Sequence, residues 1–491
     1  MDKKVQKIIK EYATKNSNYW RRVAKKQRDK TVFLAQKESS AYRIKYKKYH
    51  IDKNFCFEDL PTVDKANFLK KNTMNQLLCG GLNQPLVFTS TSGSTGEPYY
   101  FPRKENLDLQ YSILVEQFLK QGENKGKKPA LVLICFGMGV WIGGIITYQA
   151  FMMASRRGKY PVSILTPGIN MEEILKALRK LSPQFSETII IGYPPFVKDI
   201  IDQALFNNIP IKQLNIRLMF AAEVFTEDFR DYLVKKVTIN NIYRDTLSVY
   251  GSADVAAMAW ETGISVLIKR LLKSKLEIFK YFFGETQKMP TIAQYNPNFI
   301  YFESLNNEIL LTAESAIPLV RYAIGDRGRT FTYKEIDDGL RLFGVNLTKE
   351  AKKVGISDIN YQLPFVCIFE RNDFSTTIYG LQIYPELIRE ALSQEKVSNI
   401  LTGKFVFQTK FDKNQDQYLE INIECAVNVD PSTIDVGLLT QTISSFLTIK
   451  SSEFAELIKY VKNRPLIQII LWTYGHDKYF KLGIKQKWVV K

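Results

Sequence analysis

Between Thr89 and Gly96 the chain reads TSTSGSTG, six hydroxyl side chains and two glycines in eight residues. Gly93 and Gly96 can take positive φ, which lets a backbone approach a ligand closely. Ser90, Thr91, Ser92, Ser94 and Thr95 supply hydroxyls, and the N–H groups of such a loop can converge into an anion-binding nest. A phosphate is the guest this chemistry suits; the same composition also describes a Ser/Gly linker. The spacing excludes two phosphate loops. No lysine follows Gly96, as G-x-x-x-x-G-K-[ST] requires, and the dinucleotide pattern G-x-G-x-x-G fails here. Two acids follow apolar, strand-like runs: Asp254 closes SVYGSAD (248–254) and Asp326 closes PLVRYAIGD (318–326). Lys485 and Lys487 lie in the lysine-rich end of the chain, where plain surface lysine is the competing reading. Only two histidines exist, His50 and His476, so chemistry that depends on a histidine base or a histidine-rich metal site is poorly supported.

The elements that would position these groups alternate. The apolar run 85–88 reads as a buried strand entering the hydroxyl-rich loop, and a helix is expected over 105–121. Strand-like runs at 130–135, 162–165, 188–191 and 216–220 are interleaved with helical stretches such as 171–181. That alternation predicts an α/β architecture in which helices cover a largely parallel sheet. Residues 130–155 carry no charge, and 26 residues are enough to cross a bilayer. Gly137, Gly139, Gly143 and Gly144 interrupt the run, so it is read as a strand, a glycine turn and a buried helix from about Gly144, with no membrane span. A single helix is expected over 264–281, with Lys269, Arg270, Lys273 and Lys275 on a solvated face. Residues 374–491 read as helix, strand, strand, helix, strand, an α+β lobe.

A chain of 491 residues suggests two or three domains. Its five cysteines are scattered without a CxxC pair, which disfavours a disulfide framework or a zinc site and fits a reducing, cytoplasmic setting. Net charge is +18, and residues 1–50 alone hold 16 Lys/Arg against 4 Asp/Glu. Such a segment can attract an anionic partner, but no nucleic-acid-binding motif accompanies it, and a solvated helical face is the plainer reading.

The string from Thr91 to Pro98 resembles the TSGSTGxP phosphate loop of the adenylate-forming enzymes, the acyl-CoA synthetase superfamily. Further motifs occur in that superfamily's order. Leu60-Pro61 with Lys65 resembles dLPxxxK. Ala221-Ala222-Glu223 is similar to its GGE/GAE segment, with alanines for glycines. Tyr250-Gly251-Ser252-Ala253-Asp254 resembles YGxxE, with Asp for Glu. Arg321 to Asp326 resembles RYRTGD, with Ile324 for Thr. Glu370-Arg371-Asn372-Asp373 resembles the GRxDD hinge. The segment 380–388, GLQIYPELI, and the glycine-rich FGMGVWIGG (136–144) are similar to those of the phenylacetate–CoA ligase branch.

The resemblance implies a large adenylate-forming domain over 55–373, preceded by a basic helical extension (1–54) and followed by a small mobile α+β domain (374–491) that turns about Asp373. It implies that Thr91, Ser92, Gly93, Ser94, Thr95 and Gly96 hold ATP phosphates. Glu223, Tyr250, Gly251, Ser252, Asp326 and Arg371 would complete the nucleotide site, with Asp326 on the ribose, and Asp254 would hold Mg²⁺. Lys485, or Lys487, would be the catalytic cation, with Thr95 beside it. Phe136, Trp141, Gly143, Gly144, Tyr193 and Ala221 would line a pocket for a small carboxylic acid. The implied reaction makes an acyl-adenylate and pyrophosphate, then transfers the acyl group to a thiol of CoA or of a phosphopantetheine on an acidic carrier protein. Tyr379, where the family carries Arg, leaves an amine or a protein cysteine open as acceptor. A non-catalytic nucleotide sensor is the reading from another class, and a homodimer stays open.

Overall fold

The computed structural model describes residues 2–52, 54–90, 99–139, 142–284, 289–371, 375–394, 399–461 and 464–480. Of the residues named above, Thr91 to Pro98, Trp141, Asn372, Asp373, Lys485 and Lys487 lie outside the described residues.

Strands β1 (Val87–Ser90) and β2 (Tyr100–Arg103) pair with each other as an antiparallel ribbon, Ser90 opposite Tyr100. Strands β3 (Ala130–Cys135), β4 (Val162–Leu165), β5 (Glu187–Gly192), β6 (Ile216–Ala221), β7 (Thr246–Ser252), β8 (Ala256–Trp260), β9 (Thr291–Gln294), β10 (Ile300–Leu305), β11 (Glu308–Ala313), β12 (Leu319–Phe331) and β13 (Phe365–Arg371) form one sheet. Its order is β10-β11-β12-β13-β9-β8-β7-β6-β5-β3-β4. From β4 to β7 neighbours run parallel, linked through helices, as the alternation predicts. The rest is antiparallel. Only residues 253–255 join β7 to β8, too few for the crossover a parallel neighbour needs.

The helix expected over 105–121 is present as Glu105–Gln121. The uncharged run resolves into β3 and a helix over Ile142–Gly158. Among the described residues no helix is long and apolar enough to cross a membrane. The stretch read as one helix over 264–281 is two, Gly263–Ser274 and Leu276–Phe283, broken where Lys275 takes an extended conformation. Its Lys269 is not on a solvated face but buried, 2.9 Å from Glu261 and 3.1 Å from Glu227, and Arg230 pairs with the same two acids. Burial alone would raise the Glu227 carboxyl, yet Arg230 and Lys269 outweigh it and hold it well below its usual range. Of the four, Lys269 alone is buried in this network, while Lys273 is exposed as expected and Arg270 and Lys275 are half-exposed.

Downstream, β14 (Thr376–Ile378) and β15 (Leu381–Ile383) pair through a two-residue turn, with Tyr379 at φ 49° and Gly380 at φ 78°. Two positive φ values are what a tight hairpin turn of this hand demands. A three-stranded sheet follows: β16 (Leu401–Phe411) antiparallel to β17 (Gln417–Cys425), and β17 parallel to β18 (Ile467–Trp472). Helices Val436–Lys450 and Ser452–Tyr460 make the crossover.

The basic N-terminus forms α1 (Asp2–Thr14), α2 (Ser17–Glu38) and α3 (Ser40–Lys45). Their apolar stripes, including Val5, Ile8, Tyr12, Trp20, Val32 and Tyr42, are buried in the same core as the main sheet. The Val320 N–H donates to the Tyr42 hydroxyl (3.1 Å), Lys30 pairs with Glu314 (2.6 Å), and the Ser17 N–H donates to Gln362 (3.2 Å). Arg28 stacks over Phe57, 4.2 Å from the ring centre.

Candidate functional site

Parallel strands deliver side chains at their carboxyl ends, the edge where open α/β sheets bind ligands. Phe136 follows β3, Tyr193 follows β5, Ala221 ends β6 with Glu223 just beyond, and Tyr250 to Asp254 end β7. These strands are neighbours, so the sheet brings the sequence-predicted residues to one edge.

Tyr250 donates its hydroxyl to the buried Asp326. Asp326 stands opposite Arg371 in the β12–β13 pairing, which joins three of the expected nucleotide residues. Gly251 sits where the β7–β8 register slips, and a Cβ there would lie 2.7 Å from the Ala256 carbonyl. The Ser252 hydroxyl is buried and has no hydrogen-bond partner among the described residues.

Asp254 meets two groups that the sequence reading gave no role. The Lys65 ammonium lies 3.1 Å from one carboxylate oxygen, and the Tyr322 hydroxyl donates to the other. Magnesium takes oxygen ligands, but here a fixed ammonium neutralises this carboxylate and a donor occupies its second oxygen. As arranged, Asp254 does not fit a magnesium ligand. Lys65 closes the LPTVDK stretch and Tyr322 sits inside RYAIGD; both were visible as motif members, but nothing local showed that they meet. Arg103, on β2, is a further member without a sequence signal. It is buried, donates to Thr89 (3.1 Å) and reaches the carbonyls of Ala253 and Val255. Burial lowers its guanidinium to about 10, so it is still a cation at neutral pH, between the β1–β2 ribbon and the Asp254 turn.

On the pocket side, Phe136 and Tyr193 meet edge to face with centroids 5.0 Å apart. Gly143 lies against Phe136, where a Cβ would fall 3.5 Å from the ring. Gly144 is packed on Met138 and the Gly137 carbonyl, with no room for a side chain. Phe136, Tyr193 and Gly143 therefore come together, with Gly144 closing the turn behind them.

Glu223 faces the C-terminal hairpin. It accepts the Gly380 N–H and, at 2.8 Å, the Gln417 side-chain amide. Burial pushes its carboxyl up to about 7. Gly380 lies flat on Tyr193, where a Cβ would come within 2.3 Å of the ring. Tyr379 donates to Asp199 (3.0 Å), which also pairs with Arg464 (3.1 Å). Burial raises Asp199 to about 6 against the pull of Arg464 and Lys198. Ala222 holds φ 73°, so the alanine that replaces a family glycine still takes the conformation glycine favours.

No family model and no curated protein sequence matches this chain. Among solved structures it resembles 2-hydroxyisobutyryl-CoA ligase in complex with 2-HIB-AMP and CoA in the thioesterification state. The identity is 14%, over 98% of this chain and 91% of that one, with a TM-score of 0.63. The open conformation of the same ligase gives 0.52 at 14% identity, over 96% and 90% of the two chains. Its postadenylation state with 2-HIB-AMP gives 0.52 at 13%, over 98% and 91%. At such identities the likeness is one of fold: this chain shares the α/β fold of that ligase along nearly its whole length.

Proposed function

We propose that the protein activates a small carboxylic acid with ATP and transfers the acyl group to a thiol, that of CoA or of a phosphopantetheine carrier. The observation that carries the reading is the convergence of Tyr250, Asp254, Asp326 and the β1–β2 ribbon at one edge of the parallel strands. An ionised carboxylate accepts only, which suits Asp326 to ribose hydroxyls. The acid's oxygen attacks the α-phosphorus, pyrophosphate departs, and the acyl-adenylate stays between the Phe136–Tyr193 pocket and the nucleotide residues. Residues 91–96 grip the phosphates, and Lys65 and Arg103 supply fixed positive charge beside them. Lys485, or Lys487, is the cation this reading places between carboxylate and α-phosphate. Rate enhancement comes from positioning and fixed charge rather than proton transfer, which agrees with the scarcity of histidine.

The better superposition on the thioesterification state supports a C-terminal arrangement suited to the second half-reaction. The test is acid-dependent ATP–pyrophosphate exchange over a panel of aryl, short-chain and amino acids, with Asp326→Ala and Lys485→Ala alongside wild type. Exchange with one acid, lost in both variants, is expected. Loss in Asp326→Ala alone moves the lysine role to Lys487. ATP binding without exchange for any acid overturns the proposal in favour of a nucleotide sensor.

A further inference from the structure

A narrow crevice runs between the main sheet and the C-terminal segment. Its walls include Gly137 and Tyr193 on one side, Tyr379 and Gly380 on the other, and Glu453 and Tyr460 from the helix Ser452–Tyr460. Its volume is about 70 Å³, room for several water-sized groups. It adjoins the Phe136–Tyr193 pocket through the shared Tyr193 ring. A nucleophile that reaches an activated acyl carbon there would pass this wall.

Glu453 stands in the first turn of that helix, where an acid suits the helix dipole, but no described side chain holds its carboxylate. Buried acids at the neighbouring contact are occupied: Glu223 by Gly380 and Gln417, Asp199 by Tyr379 and Arg464. Glu453 has no hydrogen bond or ion pair with any described residue, and it is half-buried. Titratable groups facing the same space are Tyr193 after β5, Tyr379 in the hairpin turn, and Glu456 and Tyr460 on its own helix. No cation lines the crevice among the described residues. Burial raises the Glu453 carboxyl to about 7, close to what a base working at neutral pH requires.

From the crevice and its unoccupied carboxylate we infer that Glu453 is the general base of the acyl-transfer step. This rests on the proposed function and deepens it. The acceptor, a thiol or an ammonium group, is protonated at neutral pH. A thiol passes its proton to a Glu453 carboxylate oxygen as its sulfur forms a bond to the acyl carbon; an ammonium gives that proton to the carboxylate first, since only the free amine has the lone pair that attacks. The carbonyl re-forms, the bond to the adenylate oxygen breaks, and AMP leaves with that electron pair. The adenylation step involves no such proton, so Glu453 serves only the second half-reaction.

The experiment compares wild type with Glu453→Gln, using the acid that gives the fastest pyrophosphate exchange. Acceptor probes are CoA and hydroxylamine, the latter already unprotonated at pH 7. The expected result is exchange within twofold of wild type, transfer to CoA slowed about 100-fold or more, and hydroxylamine trapping unchanged. The CoA deficit should shrink as pH rises toward 9, where the free thiol ionises by itself. Glu453→Asp should recover part of the rate if a carboxylate is what matters. Transfer to CoA at the wild-type rate overturns the proposal. So does an equal deficit with CoA and hydroxylamine at every pH, which would mark a positional role. A wild type without exchange for any acid overturns the function reading itself, and this inference with it.

Discussion

The contact between Glu223 and the C-terminal hairpin should respond to pH, and its size can be worked out. In contact, the carboxyl is buried and raised from its ordinary value of 4.5 to about 7. A difference of that order is worth about 3 kcal/mol between the protonated and ionised contact. The carboxyl is raised, so the ionised form opposes the contact. The contact is strongest at low pH, weakens as pH climbs from about 4.5 to about 7, and is level beyond. Asp199, raised to about 6, adds a change of the same sign at slightly lower pH. Glu223→Gln removes the charge but leaves one of the two donors, Gly380 N–H or the Gln417 amide, without an acceptor, a loss of about 1 kcal/mol. At pH 8 the variant should therefore favour contact by about 2 kcal/mol, roughly 30-fold, and at pH 5 the advantage should vanish or reverse. A fluorophore pair, one on the main sheet and one on β16–β17, read between pH 4.5 and 8.5, measures the closed fraction. A wild type whose closed fraction is flat across that range, or a variant more open than wild type at pH 8, would refute the reasoning.

Lys65→Met should leave Asp254 uncompensated beside the phosphates. At an effective dielectric near 20 and a separation of ~7 Å this costs about 2 kcal/mol, seen as a KM for ATP roughly 30-fold higher in pyrophosphate exchange. Gly380→Ala places a methyl into Tyr193 and forces an L-residue to φ 78°; acyl transfer should fall at least about tenfold while exchange is retained, since the left-handed conformation alone costs roughly 1–2 kcal/mol. Ala222→Gly relieves φ 73° at some cost in unfolded-state entropy, so the denaturation midpoint should hold or rise by up to about 1 kcal/mol of stability; a clear loss would show that the methyl packs productively.

Part of the candidate site was legible because several of its residues lie at or just beyond the carboxyl ends of β3, β5, β6 and β7. The runs at 130–135, 162–165 and 216–221 are apolar apart from Ser163 and Arg217. Local pattern therefore located the edge where Tyr193, Tyr250 and Asp254 gather. What it could not locate were meetings between segments far apart in sequence. Lys65 with Asp254, Arg103 with the 253–255 turn, and Asp199 with Arg464 are fixed by sheet order and by the packing of the C-terminal segment. No periodicity encodes such pairs. Lys269 was misread in part for the same reason, since Glu227 and Arg230 join it from an earlier helix.

The docking of α1 to α3 on strands that come much later in the chain has a consequence for synthesis. Tyr42 waits for Val320, Lys30 for Glu314, and Ser17 for Gln362. At ~5–20 residues per second, these partners emerge roughly 15 to 70 seconds after the helices do. During that interval the stripe of Val5, Ile8, Tyr12, Trp20 and Val32 has nothing to cover it. The lysines and arginines on the opposite faces, among them Arg21, Arg22, Lys25 and Lys26, stay exposed in the folded protein. Mutual repulsion between nascent chains carrying such a segment discourages their association. The charge surplus of the first fifty residues would then oppose association between nascent chains while that stripe waits for its sheet.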